Sequence, residues 1–316
     1  KKSLGYYWVN VDGTNVVCSL SSRLRKVLIY PIADANSIHP RVQDVEDIRM
    51  ADPVAIGDIV SFVDVGDGTG MIVEVLERIS ALVRRAAGPK PLEQVIVANA
   101  DQVVCVVAAA RPAPSWALLD RYLVAAEASN LPALVCITKA DLIEPRELAD
   151  EVRSYEQIGY RVLLTSATDG TGMTQLQHEL AGRVSVFAGK SGVGKTSLLN
   201  AIQPGLGLRV NMVGDKTNKG KHTTTHLEMF ALEVGGSVVD TPGMREFALW
   251  NVQDRELASL FPEMRPYLDD CRFGAGCSHN TEPGCAIKAA IADGKIAERR
   301  RHSYLKLRAE CDRSRR

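Results

Sequence analysis

The 316-residue chain lacks a net charge, with 38 Lys/Arg standing against 38 Asp/Glu. A global basic field announcing nucleic acid is therefore absent, and any such surface has to be local. No apolar run approaches the roughly 18 residues that span a membrane. Internal repeats and low-complexity segments are missing as well. So is a disulfide framework. Of the seven cysteines, Cys18, Cys105 and Cys136 sit singly in apolar, strand-like runs, where a thiol acts as a small buried hydrophobe. Cys271, Cys277 and Cys285 instead cluster around His279, a distribution suited to a reducing compartment and a metal site. The chain opens on Lys1-Lys2 with no signal-like or transit-like start, which leaves a processed or trimmed N-terminus open.

What is present is ordinary for a globular protein: 46% hydrophobic and 24% charged residues, at a length that predicts two or three domains. Residues 1–90 alternate short β-branched or aromatic runs with Gly/Asp turns. Gly5–Val9, Asn15–Leu20, Lys26–Tyr30, Ile59–Val63 and Met71–Leu76 predict a small barrel of the OB type. Acidic and basic residues balance there, but positives bunch at Arg23, Arg25 and Lys26 and again at Arg78, Arg84, Arg85 and Lys90. Such bunches suit either a nucleic-acid face or a solvated one. Gly88–Pro91 reads as a linker. Beyond it strands alternate with helices: Gln102–Ala108, a helix Trp116–Ser129 with Ser115 as its cap, Ala133–Ile137, a helix Pro145–Ile158, and Arg161–Leu164. That alternation predicts a largely parallel sheet.

Into this pattern falls Gly189-Lys190-Ser191-Gly192-Val193-Gly194-Lys195-Thr196-Ser197, preceded by the strand-like Val184–Ala188 and followed by a helix start. In that setting the glycines let backbone N–H groups close around phosphates. Lys195 reaches the terminal phosphates, and the Thr196 hydroxyl serves Mg²⁺. The chain is expected to bind a nucleoside triphosphate. Thr138-Lys139-Ala140-Asp141 ends the strand Ala133–Ile137, and Ser166-Ala167 follows the next one. A carboxylate at Asp141 accepts both N1–H and N2–H₂ of guanine, a donor pair adenine lacks; the Lys139 stem packs on the base; a backbone N–H at Ser166-Ala167 meets O6. The usual first residue is Asn, and Thr138 stands in its place.

Two further matches lie downstream. Gly220-Lys221-His222-Thr223-Thr224-Thr225, polar and rich in lysine and glycine, reads as a first switch loop. Asp240-Thr241-Pro242-Gly243, after Ser237–Val239, reads as the second, with Asp240 holding Mg²⁺ through water and the Gly243 N–H meeting the γ-phosphate. Base-reading loops thus precede the P-loop and the switches, a circular permutation that leaves the same sheet able to form. Cys271, Cys277, His279 and Cys285 make a closed Cys₃His set, the donor set of one structural Zn²⁺. The tail from Lys295 is basic and helical in pattern, fit either for solvent or for phosphates.

Barrel, permuted GTPase motifs and Cys-Cys-His-Cys module together resemble the RsgA/YjeQ family of small-ribosomal-subunit-dependent GTPases over essentially the whole chain. Arg245-Glu246-Phe247 shares the likeness, while five residues between Cys271 and Cys277, and Lys221 in place of a frequent arginine, depart from it. The resemblance implies an α/β fold in three parts: an OB-type barrel over 1–90, a circularly permuted P-loop GTPase over 91–248, and a mostly helical zinc module with a basic tail over 249–316. It implies GTP hydrolysis, stimulated by the small ribosomal subunit late in that subunit's maturation, with barrel and zinc module gripping its rRNA. Lys195 and the P-loop amides would hold phosphates, and Thr196 with Thr224 or Thr223 would ligate Mg²⁺. Met244 occupies the place of a water-orienting glutamine, so His222 is the residue expected to act in hydrolysis, against its alternative as an ordinary surface histidine. A monomer in the cytoplasm, away from membranes, is expected, or in an organelle with a bacterial-type ribosome if a targeting segment was removed. An ATPase or small-molecule kinase fits the P-loop alone but not Asp141. An assembly scaffold that binds RNA and uses GTP only as a conformational token is the alternative function.

Overall fold

A computed structural model describes residues 2–3, 5–29, 44–47, 52–86, 92–206, 228–240 and 252–314. The chain divides into two compact units, Lys1–Asn99 with His226–Met229, and Ala100–Thr225 with Phe230–Arg316. The linker expected at Gly88–Pro91 lies outside the described residues, as do Gly220–Thr225 and Thr241–Phe247.

The first unit is all β, as its turn spacing predicts. Strands β1 (Lys2–Ser3), β2 (Tyr6–Val11) and β3 (Thr14–Leu20) are followed by β4 (Lys26–Ile29), β5 (Asp44–Asp47), β6 (Val60–Gly66), β7 (Thr69–Val75), β8 (Ala81–Arg85) and β9 (Glu93–Ala98). Five of them form one sheet in the order β1-β2-β3-β7-β6, antiparallel except for the parallel β3–β7 pair. β4–β5 and β8–β9 are separate antiparallel pairs. Tyr7, Cys18, Val54 and Ile72 make the core, so the thiol of Cys18 is the buried hydrophobe its apolar run implies. Arg78, counted above among the bunched positives, is not a free cation. It pairs with Asp58 at 2.7 Å and donates to the Pro53 carbonyl.

The second unit carries the alternating pattern. Its elements are β10 (Gln102–Ala108), α1 (Trp116–Ala128), β11 (Ala133–Thr138), α2 (Ala149–Ile158), β12 (Arg161–Leu164), α3 (Met173–Leu180), β13 (Val184–Gly189), α4 (Lys195–Ile202), the second half of β14 (Glu228–Ala231) and β15 (Ser237–Asp240). The sheet order is β12-β11-β10-β13-β15-β14, and β12-β11-β10-β13-β15 pair in parallel. β10 is buried along its whole length, as a continuous apolar run in a sheet covered on both faces must be. Two local expectations shift. Ser115 starts α1 through its carbonyl, which accepts the Leu118 and Leu119 N–H groups, and its hydroxyl makes no cap. The helix expected from Pro145 is a 3₁₀ turn to Leu148 before α2. Short helices α5 (Asp254–Leu257) and α6 (Ala286–Ala292) and the long α7 (Glu298–Ser314) complete this unit around Phe261, Met264, Ile287, Tyr304 and Leu307.

Candidate active site and metal centre

The register brings the C-terminal ends of the parallel strands to one edge: Ala108 pairs with Thr138, Val106 with Gly189, and Phe187 with Asp240. That edge is where open α/β sheets bind ligands. Gly189 ends β13 under constraint, since a Cβ there would lie 2.7 Å from the Val106 carbonyl oxygen of the neighbouring strand. Gly194, at φ +101°, turns the loop into α4 and faces the Thr138 hydroxyl. The loop Lys190–Gly194 runs directly into the N-terminus of α4, with Ser191 exposed and Ser197 in its first turn.

Lys195 is buried and donates to the Gly189 carbonyl at 2.7 Å. Burial lowers its pKa, with Asp240 opposing. Asp240 is shifted upward, again by burial, with Lys195 opposing. Its Oδ1 is buried without a hydrogen-bond partner among the described residues. Such an oxygen calls for a cation or a water bound to one. With the hydroxyl of Thr196 on the first turn of α4, it offers the hard oxygen donors that Mg²⁺ takes. The residues fit that ion.

The base-side residues converge on the same loop. Thr138 is buried, and its hydroxyl donates to the Val193 carbonyl of the P-loop and, at 3.4 Å, to Val107. Lys139, at φ +59°, extends its ammonium to the Gly192 carbonyl at 2.9 Å and to the Arg111 carbonyl. Burial lowers its pKa against the pull of Asp141. Asp141 is exposed and accepts the Ser166 hydroxyl at 2.7 Å. The Ala140 N–H donates to Thr165, and Ala167 is exposed just beyond. A carboxylate, a lysine stem and an exposed backbone turn thus come from the adjoining segments 138–141 and 165–167, as a guanine-reading rim requires. Arg111 was not anticipated from sequence, because it contributes a backbone carbonyl and any residue supplies one. His222, Thr223, Thr224 and Gly243 lie outside the described residues.

Cys271, Cys277, His279 and Cys285 are all buried, with their ligand atoms within 4.8 Å of one another. The Cys271 and Cys285 sulfurs are 4.0 Å apart and lie 3.6 and 3.5 Å from His279 Nδ1. A tetrahedral zinc with Zn–S near 2.3 Å and Zn–N near 2.0–2.1 Å requires edges of about 3.8 and 3.5 Å, so the set fits that metal. Burial, with Arg308 nearby, lowers the His279 pKa, which favours the neutral form that ligates. Around the ligands, Glu282 accepts the Ser278 and Asn280 N–H groups at 2.7 and 3.0 Å; hydrogen bonding from the Ser278 side chain, with these backbone bonds, holds its carboxyl down at about 2. Arg301 donates to the His279 carbonyl at 3.1 Å. These outer partners orient the ligands. Glu282 was legible in principle, as an acid three residues after the imidazole. Arg301 was not.

Among the described residues no helix is long and apolar enough to cross a membrane. The family model described as RsgA GTPase matches residues 75–250. A curated relative from Gemmatimonas aurantiaca, named small ribosomal subunit biogenesis GTPase RsgA, is 46% identical over 77% of this chain and 78% of its own. A relative of the same name from Moorella thermoacetica is 40% identical over 97% and 93%. The crystal structure of YjeQ from Thermotoga maritima superposes with a TM-score of 0.68 at 32% identity, covering 96% of this chain and 93% of that one. That of YloQ, described as a circularly permuted GTPase, gives 0.66 at 32% identity over 99% and 93%. With its permuted strand order, its P-loop at the sheet edge and its Cys₃His set, the chain belongs to the RsgA GTPase family.

Proposed function

We propose that this GTPase hydrolyses GTP when the small ribosomal subunit stimulates it, and that it acts late in that subunit's maturation. The observation that carries the nucleotide choice is the convergence of Thr138 and Lys139 on the P-loop carbonyls of Val193 and Gly192, with Asp141 fixed beside them by Ser166. The relatives' name supports the subunit as partner. Phosphates lie along the amides of 190–194 with Lys195. Mg²⁺ would be held by Thr196 and Asp240, with Thr224 or Thr223, and would neutralise charge on the phosphates. One Zn²⁺ occupies the Cys₃His set in a structural role, since no ligand position stays open. The three parts are a barrel over 1–90, the GTPase over 91–248 and the zinc module over 249–316, with the first and last contacting rRNA. The protein works as a cytoplasmic monomer.

His222 orients the attacking water in this scheme, because Met244 has no polar group to do so. The test is GTP turnover with small subunits, with large subunits and with neither, in the parent and in His222→Ala. Small subunits alone should raise turnover, and His222→Ala should lose roughly 100-fold or more of that rate while still binding nucleotide and subunit. Stimulated turnover within twofold of the parent would remove His222 from the mechanism. No stimulation by either subunit would leave the alternative, a GTP-switched assembly scaffold.

A further inference from the structure

Asp120, on α1, is wholly buried, and four donors converge on it. Arg300 Nη1 and the Tyr155 hydroxyl each lie 2.7 Å from Oδ1; the Ser303 hydroxyl and Arg299 Nη1 lie 2.6 and 3.2 Å from Oδ2. Three of these donors sit on α7, which packs in one core with the Cys₃His set. Arg300 is itself fully buried, and its Nε and Nη2 donate to Glu263 at 2.6 and 3.2 Å. Arg299 and Arg300 of the basic run are therefore committed to Asp120, and Arg301 donates to the His279 and Asn280 carbonyls. A buried ionic cluster stabilises little compared with apolar packing of the same volume, so its return is sought in geometry.

That geometry leads toward the nucleotide. The Arg299 guanidinium lies 5.7 Å from the ring of Trp116, the first residue of α1, and 5.1 Å from that of Tyr155. Immediately before Trp116 runs the segment 109–115, whose Arg111 carbonyl receives the same Lys139 ammonium that holds the Gly192 carbonyl. Between this segment and the P-loop a small cavity remains, lined by Pro112, Ser115 and Leu119 on one side and Lys190 and Val193 on the other. Across that cavity the Lys139 ammonium bridges the segment and the P-loop, through the Arg111 and Gly192 carbonyls. Its position is inherited from α1, and α1 is clamped by α7.

We propose that Asp120 is a positioning residue for guanine-nucleotide binding: by seating α7 on α1 it lets the Cys₃His module hold segment 109–115, and with it Lys139, over the P-loop. Module and nucleotide site are then energetically coupled, and the coupling runs both ways. The inference rests on the role proposed for Lys139 beside the base.

The experiment is a double-mutant cycle in the full-length protein, using Asp120→Asn, Lys139→Ala and the pair, read by the Kd of a fluorescent GDP analogue. Zinc content and thermal unfolding are measured alongside. Asp120→Asn should retain one zinc per chain yet bind GDP roughly 5–30-fold more weakly, within the usual span of coupling between sites. The double variant should bind within about twofold of Lys139→Ala alone, since both changes break one connection. If Asp120→Asn does not fold, Ser303→Ala carries the same cycle with an expected loss of about twofold to fivefold; it removes one hydrogen bond and keeps both ion pairs. A folded variant that melts earlier but binds GDP within twofold of the parent would make the cluster purely structural. Losses that add to that of Lys139→Ala would also overturn the proposal. Unchanged GDP affinity in Lys139→Ala alone would instead refute the role given to Lys139.

Discussion

Replacing Thr138 with valine changes one oxygen into a methyl group at a site with no room to rearrange. The side chain is 3% exposed, and its hydroxyl supplies a donor to the Val193 carbonyl of the P-loop. Gly194, directly opposite, has space for a Cβ only at 3.4 Å from that hydroxyl oxygen, so no water replaces it without displacing the loop. Valine keeps the shape and leaves Val193 with an unsatisfied carbonyl. A buried polar group in that state costs about 1–3 kcal/mol. If the loop holds its place only when nucleotide is bound, that cost is read as a loss of about 5–150-fold in GDP affinity. Thr138→Ser keeps the donor and should bind within about threefold of the parent. Fluorescent-GDP titration of both variants, with thermal unfolding as a control, makes the comparison. Valine binding as tightly as serine would refute the view that Thr138 does at the P-loop what an asparagine does elsewhere.

Asp141→Asn should lose GTP affinity and gain affinity for xanthosine triphosphate, whose C2 oxygen accepts from the amide; competition binding with both nucleotides shows the exchange, and unchanged GTP binding would remove the guanine assignment. Cys285→Ala should lower zinc content from one per chain and weaken zinc binding by more than the 10–100-fold typical of an outer-shell partner. Elemental analysis and a chelator titration read it, and parent-like zinc retention would exclude Cys285 as a ligand.

Much of the site was legible because each motif needs a few residues at fixed local spacing. Gly189, Gly192, Gly194 and Lys195 define a strand–loop–helix turn that few other sequences make, and three cysteines and a histidine within 15 residues mark a donor set fit for a metal. The strands β10 to β13 and β15 were legible too, as apolar runs ending in those motifs. α3 was not, because Met173–Leu180 is short and polar, and its burial comes from lying on the sheet. The short strands β5 and β8 carry no alternation that separates them from loops.

The sequence by itself determined the family this protein belongs to and the chemistry its motifs suit, through local requirements: a glycine-rich loop suited to phosphate, a carboxylate suited to guanine, a Cys₃His set suited to zinc. Only the tertiary structure decided where the charges go. Arg299-Arg300-Arg301 reads as a basic surface in one dimension, yet Arg300 is fully buried against Asp120 and Glu263, and Arg78 is bound to Asp58. An ion pair between residues 180 positions apart leaves no local signature. It exists because the C-terminal core packs α7 against α1, and a buried charge is tolerable only where folding delivers its partner.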